Sequence, residues 1–122
     1  ADKVPVAIVS GAARREITSA VNRAGLRSTF ATIVSAEDVS NPKPAPEGYL
    51  LAMRRLVRKR LVTDGLPVVA VEDSPGGTSA AIAAGLEVVG ITTTYSAAQL
   101  RRAGAARTAP TLERVSVEEL LG

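Results

Sequence analysis

Short apolar runs alternate with helical patterns along the whole chain, and this alternation limits the fold more than any other feature. "VPVAIV" (4–9) is a β-branched run that reads as a buried strand. "AARREITSAVNRA" (12–24) places Ile17, Ala20, Val21 and Ala24 at helical spacing, with Gly25 as a stop. "ATIVS" (31–35) predicts a second strand, and "APEGYLLAMRRLVRKRL" (45–61) a helix with Tyr49, Leu50, Met53, Leu56 and Val57 on one face. "PVVAV" (67–71) predicts a third strand. "PGGTSAAIAAG" (75–85) comes next as a small-residue helix, with Ser74 as cap and Gly85 after its end. "EVVGIT" (87–92) predicts a fourth strand, while 96–104 and 116–121 read as short helices capped by Ser96 and Ser116. Strands alternating with helices predict an α/β fold, a parallel sheet covered by helices on both faces. Such sheets bind ligands beyond the carboxyl ends of their strands.

Composition narrows the chemistry. The 122 residues fit one domain, here 1–122, and 46% are apolar, enough for a core. Aromatics are only 2%, so Val, Ala, Leu and Ile must build that core. There is no cysteine and no histidine. Disulfides, thiol nucleophiles, Ser-His triads and His- or Cys-ligated zinc are thereby excluded for these residues. Catalysis must use carboxylates, Lys, Arg, hydroxyls, backbone groups or a hard cation. No apolar run is long enough to span a membrane and no secretory signal is visible, which predicts a cytoplasmic location and no membrane partner. The net charge of +3 is spread out. The basic run "RRLVRKR" (54–60) falls opposite the apolar stripe of its own helix and reads as a solvated face. With three aromatics in the chain there is little for base stacking, so no nucleic-acid partner is expected.

The predicted strand ends carry a distinctive set of groups. The first ends in Ser10-Gly11, the second leads to Lys43, the third ends in Glu72-Asp73 and the fourth runs into Thr92-Thr93-Thr94. Each has a plain alternative. Ser10 could cap a helix. Lys43, between Pro42 and Pro44, could sit in an extended loop, although flanking prolines also stiffen the backbone and aim one charge. Glu72 and Asp73 could form a solvated turn, yet adjacent carboxylates beside a buried edge repel unless donors or a cation compensate. Mg²⁺ is satisfied by one or two carboxylates with waters and phosphate oxygens. Gly76 and Gly77 could be turn residues, or could let backbone approach a ligand at a helix N-terminus.

Taken in order, "VSGA", "NPKPAPEGYLLA" and "VVAVEDSPGGTSAAIAAGLEVVGIT" closely resemble the haloacid dehalogenase superfamily of phosphohydrolases, in its β-phosphoglucomutase and phosphoglycolate phosphatase branch. The resemblance covers nearly the whole chain and implies a Rossmann-like core. It implies that Ser10 hydrogen-bonds the transferring phosphoryl group, with Gly11 adding a backbone donor. Lys43 would neutralise phosphoryl charge, and Glu72 and Asp73 would hold Mg²⁺, with Asp73 the direct ligand. The substrate would be a small phosphorylated metabolite. Asn41 stands where the branch often has Gly, Glu47 where it often has Asp, and Thr78 where Ile is common.

One departure is large. The family's first motif, D-x-D-x-[TV], is absent, and neither Asp2 nor Asp38 fits it. That motif supplies the nucleophilic Asp and most of the metal site, on the central strand of the family's sheet. The resemblance therefore implies a partial core domain lacking the nucleophile strand and the cap. An N-terminal segment or a second chain would supply the first motif. The alternatives are a non-catalytic phosphate- or Mg²⁺-binding or assembly module, and a nucleotide-binding domain, against which the missing Gly-rich fingerprint counts.

Overall fold

The computed structural model describes residues 4–63 and 67–112. The chain is α/β, and every strand pair is parallel. It divides into two compact units, one of Ala1–Pro42 with Glu47–Asp64, the other of Lys43–Pro46 with Gly65–Gly122.

In the first unit, β1 (Ala7–Val9) pairs with β2 (Thr32–Val34). Helix α1 (Arg14–Arg23) connects them, and α2 (Glu47–Arg58) packs on both strands. Close approach is possible because position 48 is Gly: a Cβ there would already stand 3.0 Å from a Val9 methyl. The core consists of Ile17, Val21, Val34, Tyr49, Ala52 and Leu56. The predicted α2 face is thus rotated. Ala52 is inside, whereas Leu50 and Val57 are 47% and 54% exposed.

In the second unit, β3 (Val69–Glu72), β4 (Glu87–Ile91) and β5 (Arg107–Ala109) form a sheet in that order. Helices α3 (Pro75–Ala83) and α4 (Ala97–Ala103) pack against it and against each other. Ala80, Ala81, Val88 and Leu100 are fully buried. Small residues on α3 let helix and sheet meet with little side-chain volume between them, which explains a core almost without aromatics. Ser74 caps α3, Ser96 caps α4, and Gly85 takes a positive φ of 88° just past α3, as expected.

The observed strands are shorter than the apolar runs. The third also ends one residue later than expected, so Glu72 is a strand residue rather than a loop residue. β5 was not anticipated: "RTA" has no apolar run, and it is a strand because β4 offers it an open edge. The predicted helix at 116–121, with its Ser116 cap, lies outside the described residues. Among the described residues β1 has one strand neighbour, and β3 lies at an edge of its sheet.

The basic run is only partly a solvated face. Arg55 donates to the Ile33 carbonyl at 2.9 Å and to Thr32 Oγ1 at 3.2 Å, and Lys59 donates to the Ala31 carbonyl. Two of its five cations therefore fasten α2 to β2. Among the described residues no helix is long and apolar enough to cross a membrane.

The turn after β2 fastens the turn after β1. Asp38, closing a 3-10 turn (Ala36–Asp38), accepts from Ser35 N–H at 2.8 Å and from Arg14 Nη2 at 2.5 Å. The Ser35 N–H, assisted by Arg14, holds the Asp38 carboxyl down to about 2 from its ordinary 3.8. A folded-state value below the unfolded one stabilises the fold above pH about 4, and that contribution is lost as pH falls through about 2. Asp38→Asn should therefore cost about 1–2 kcal/mol at pH 7, after allowance for its partial exposure, and flatten the decline between pH 4 and 2. Urea unfolding midpoints across that range check this.

Candidate active site

The acidic pair sits where β3 gives way to α3. Successive strand residues point to opposite faces. Glu72, in register with Gly90 of β4, is 7% exposed, whereas Asp73, just past the strand, is exposed. A carboxylate that deep requires a partner. Lys43 provides it, with Nζ 2.7 Å from Glu72 Oε2. Prolines 42 and 44 flank Lys43, whose side chain is a quarter exposed, so the ammonium is paired and still reaches the surface.

The start of α3 completes this corner. Ser74 Oγ accepts from Gly77 N–H at 3.0 Å, and the Thr78 hydroxyl donates to the Ser74 carbonyl at 2.8 Å. The Glu72 carboxylate lies directly on Gly77: a Cβ there would stand 1.9 Å from Oε1. Thr78 is fully buried with its hydroxyl bonded, which accounts for Thr at this position.

Ser10 and Gly11 belong to the first unit, at the carboxyl end of β1. Ser10 does not cap α1, which begins at Arg14. Ser10 N–H donates to the Val34 carbonyl at 2.9 Å, and its Oγ accepts from Ala12 N–H at 3.1 Å. The oxygen is thereby oriented while its own O–H remains a donor. The Ala12 carbonyl accepts from Ala36 N–H at 3.0 Å, and Arg14 N–H donates to Glu37 Oε1 at 2.9 Å. A carboxylate 23 residues away thus caps α1, and the Arg14 N–H, followed by Glu37's own N–H, lowers the Glu37 pKa. Sequence reasoning missed this role of Glu37. The Ser35-Ala36-Glu37-Asp38 spacing is a capping signal, but it points to the 3-10 turn and not to a distant helix.

Asn41 and Glu47, both small departures from the branch's pattern, are partners. Glu47 accepts from Ser40 N–H at 2.6 Å and from the Asn41 backbone and side-chain amides at 3.1 Å each. These bonds, that of Ser40 foremost, lower its pKa.

A family model described as haloacid dehalogenase-like hydrolase matches residues 1–91. The chain belongs to that family. It is 35% identical over 101 residues to validoxylamine A 7'-phosphate phosphatase of Streptomyces hygroscopicus, covering 83% of this chain and 45% of that protein. It is 42% identical over 87 residues to 2-deoxyglucose-6-phosphate phosphatase 2 of Saccharomyces cerevisiae, covering 69% and 35%. Its backbone matches a crystal structure of CbbY from Rhodobacter sphaeroides in complex with xylulose-(1,5)bisphosphate. There the TM-score is 0.79 and the identity 27%, covering 95% of this chain and 51% of that one. The chain spans about half, or less, of the length of these relatives.

The two adjacent acids should behave differently in stability measurements. Glu72→Ala removes the ion pair that the buried carboxylate makes with Lys43 and should cost about 1–3 kcal/mol, whereas Asp73→Asn should stay within about 0.5 kcal/mol. Chemical denaturation of both variants at pH 7 measures the contrast.

Proposed function

We propose that this chain is the phosphate- and metal-binding part of a cytoplasmic haloacid dehalogenase-like phosphohydrolase acting on a small phosphorylated metabolite. The reaction is hydrolysis of a phosphate monoester or mutase-type transfer of its phosphoryl group. The observation that carries this is the Lys43–Glu72 pair, with Asp73 exposed beside it, at the carboxyl end of a parallel strand. Two relatives named as phosphatases, and a neighbour with a bound sugar bisphosphate, support the substrate class.

In this reading the Lys43 ammonium binds phosphoryl oxygens, and Glu72 fixes where it stands. Ser10, whose Oγ accepts from Ala12 N–H, offers its hydroxyl as a donor to a phosphoryl oxygen. Gly11 adds a backbone donor. The donor set fits a hard cation in part. Asp73 offers an exposed carboxylate, whereas Glu72 already faces Lys43, and among the described residues no three acidic groups gather as a metal site. Asp73 would hold Mg²⁺ directly, and Glu72 would act on it indirectly. When bound, Mg²⁺ supplies positive charge to the phosphoryl oxygens. The aspartate that would accept the phosphoryl group as an aspartyl-phosphate has no counterpart in these 122 residues. An N-terminal segment or a second chain carrying D-x-D-x-[TV] supplies it.

The 122-residue chain with Mg²⁺ should not turn over an aryl phosphate, and supplying the D-x-D-x-[TV] segment should confer turnover. In the completed protein Lys43→Ala should lose about 10²–10³-fold and Ser10→Ala about tenfold, since a full charge outweighs a neutral donor. Turnover by the chain alone that disappears in Asp73→Ala would place the chemistry elsewhere. A completed protein that binds phosphate and Mg²⁺ without turnover would be a binding module.

A further inference from the structure

Gly77 has a feature that neither capping nor ligand binding explains. Its N–H is committed to Ser74 Oγ at 3.0 Å, so it is already used within the cap. Its φ is not positive, so the backbone there does not require glycine. What requires glycine is the Glu72 carboxylate. A Cβ at 77 would stand 1.9 Å from Oε1, 2.3 Å from the carboxyl carbon and 2.8 Å from Oε2. Oε2 is the atom that holds Lys43 Nζ at 2.7 Å. The neighbouring Gly76 sits in the same helical turn, and a Cβ there would meet nothing within 4 Å.

We propose that Gly77 is a positioning residue for the Lys43 ammonium: the missing side chain at 77 is the space that the Glu72 carboxylate occupies, and the carboxylate in turn fixes Lys43. The functional weight of this rests on Lys43 being the phosphoryl-binding group, whereas the steric linkage does not. A methyl at 77 must push the carboxylate by at least about 1 Å to reach even the 3.0 Å limit of real Cβ contacts. Glu72 is itself buried, on a strand whose backbone is paired with β4, so its side chain is what must yield. A hydrogen bond of 2.7 Å does not survive such a shift unless the ammonium moves with it, and with prolines on both sides of Lys43 its side chain alone would have to make that movement.

The linkage can be read on the 122-residue chain without catalysis, through the rate at which an amine-acylating reagent modifies Lys43, monitored by mass spectrometry. A paired ammonium reacts slowly. Gly77→Ala should raise the Lys43 rate by about fivefold or more, and Gly76→Ala by less than about twofold. In a Glu72→Asp background the carboxylate is withdrawn by one methylene, and adding Gly77→Ala should then change the rate by less than about twofold. Melting curves on each variant verify that the folded chain is being read. If a variant melts below the working temperature, the same comparison is made at a lower temperature at which all the variants are folded. No rise in Gly77→Ala, or a rise of equal size in both backgrounds, overturns the proposal, because a general effect on the α3 start would not depend on the length of side chain 72. Failure of the phosphohydrolase reading would leave these rates unchanged, so the two outcomes are separable.

Discussion

A carboxylate almost sealed from solvent at the end of a strand is the constraint on which the second unit turns. Glu72 is 7% exposed, and an ionised group at that depth is tolerated only when it is paired. Its partner comes from far along the chain: Lys43 precedes it by 29 residues. The pair therefore joins Lys43–Pro46 to a body otherwise made of Gly65–Gly122. It also dictates how α3 begins, because the first turn of that helix must leave room for the carboxylate. Ser74, Gly77 and Thr78 meet that requirement, respectively by capping, by absence of a side chain and by a buried hydroxyl bonded back to the Ser74 carbonyl.

Carboxylates have the same kind of structural duty in the first unit, closer to solvent. Glu37 caps α1, Asp38 gathers Arg14 and Ser35, and Glu47 collects the amides of Ser40 and Asn41. Each accepts from at least one backbone N–H, which explains why all three pKa values fall below their usual range. The loops after β1 and β2 thus owe their shape to charge-assisted bonds between distant residues. In a chain with three aromatics and many alanines, such bonds provide the directional constraint that large interlocking side chains give elsewhere.

The strands form separate two- and three-stranded sheets, and the motif that would supply a nucleophile is missing from the sequence. In the family's sheet that motif lies on a central strand. The chain spans about half of the length of these relatives. In the proposed function the second unit contributes an ammonium and a carboxylate, and the first unit a hydroxyl, each held by its own bonds.

The sequence by itself determined the class of fold, the order of its elements and the positions of most caps. Those arise from short continuous apolar runs, from period-3.6 patterns and from local Ser, Pro and Gly chemistry, all of which act within a few residues. It also singled out Ser10, Glu72 and Asp73, because unusual groups stood where apolar runs stopped, and Lys43, because a proline stands on each side of it. It misjudged which side of α2 faces inward, since Leu50 and Ala52 compete for burial and only β1 and β2 decide between them. It could not show that "RTA" would be a strand, because that depends on the open edge of β4. Nor could it assign partners. That Glu72 faces Lys43 while Asp73 faces water, that Glu37 caps a helix 23 residues earlier, and that Gly77 is glycine because a carboxylate fills its place were decided by tertiary structure alone. The physical reason is the same in each case: burial and steric exclusion are set by neighbours in space, and no local pattern encodes which distant residue will arrive there.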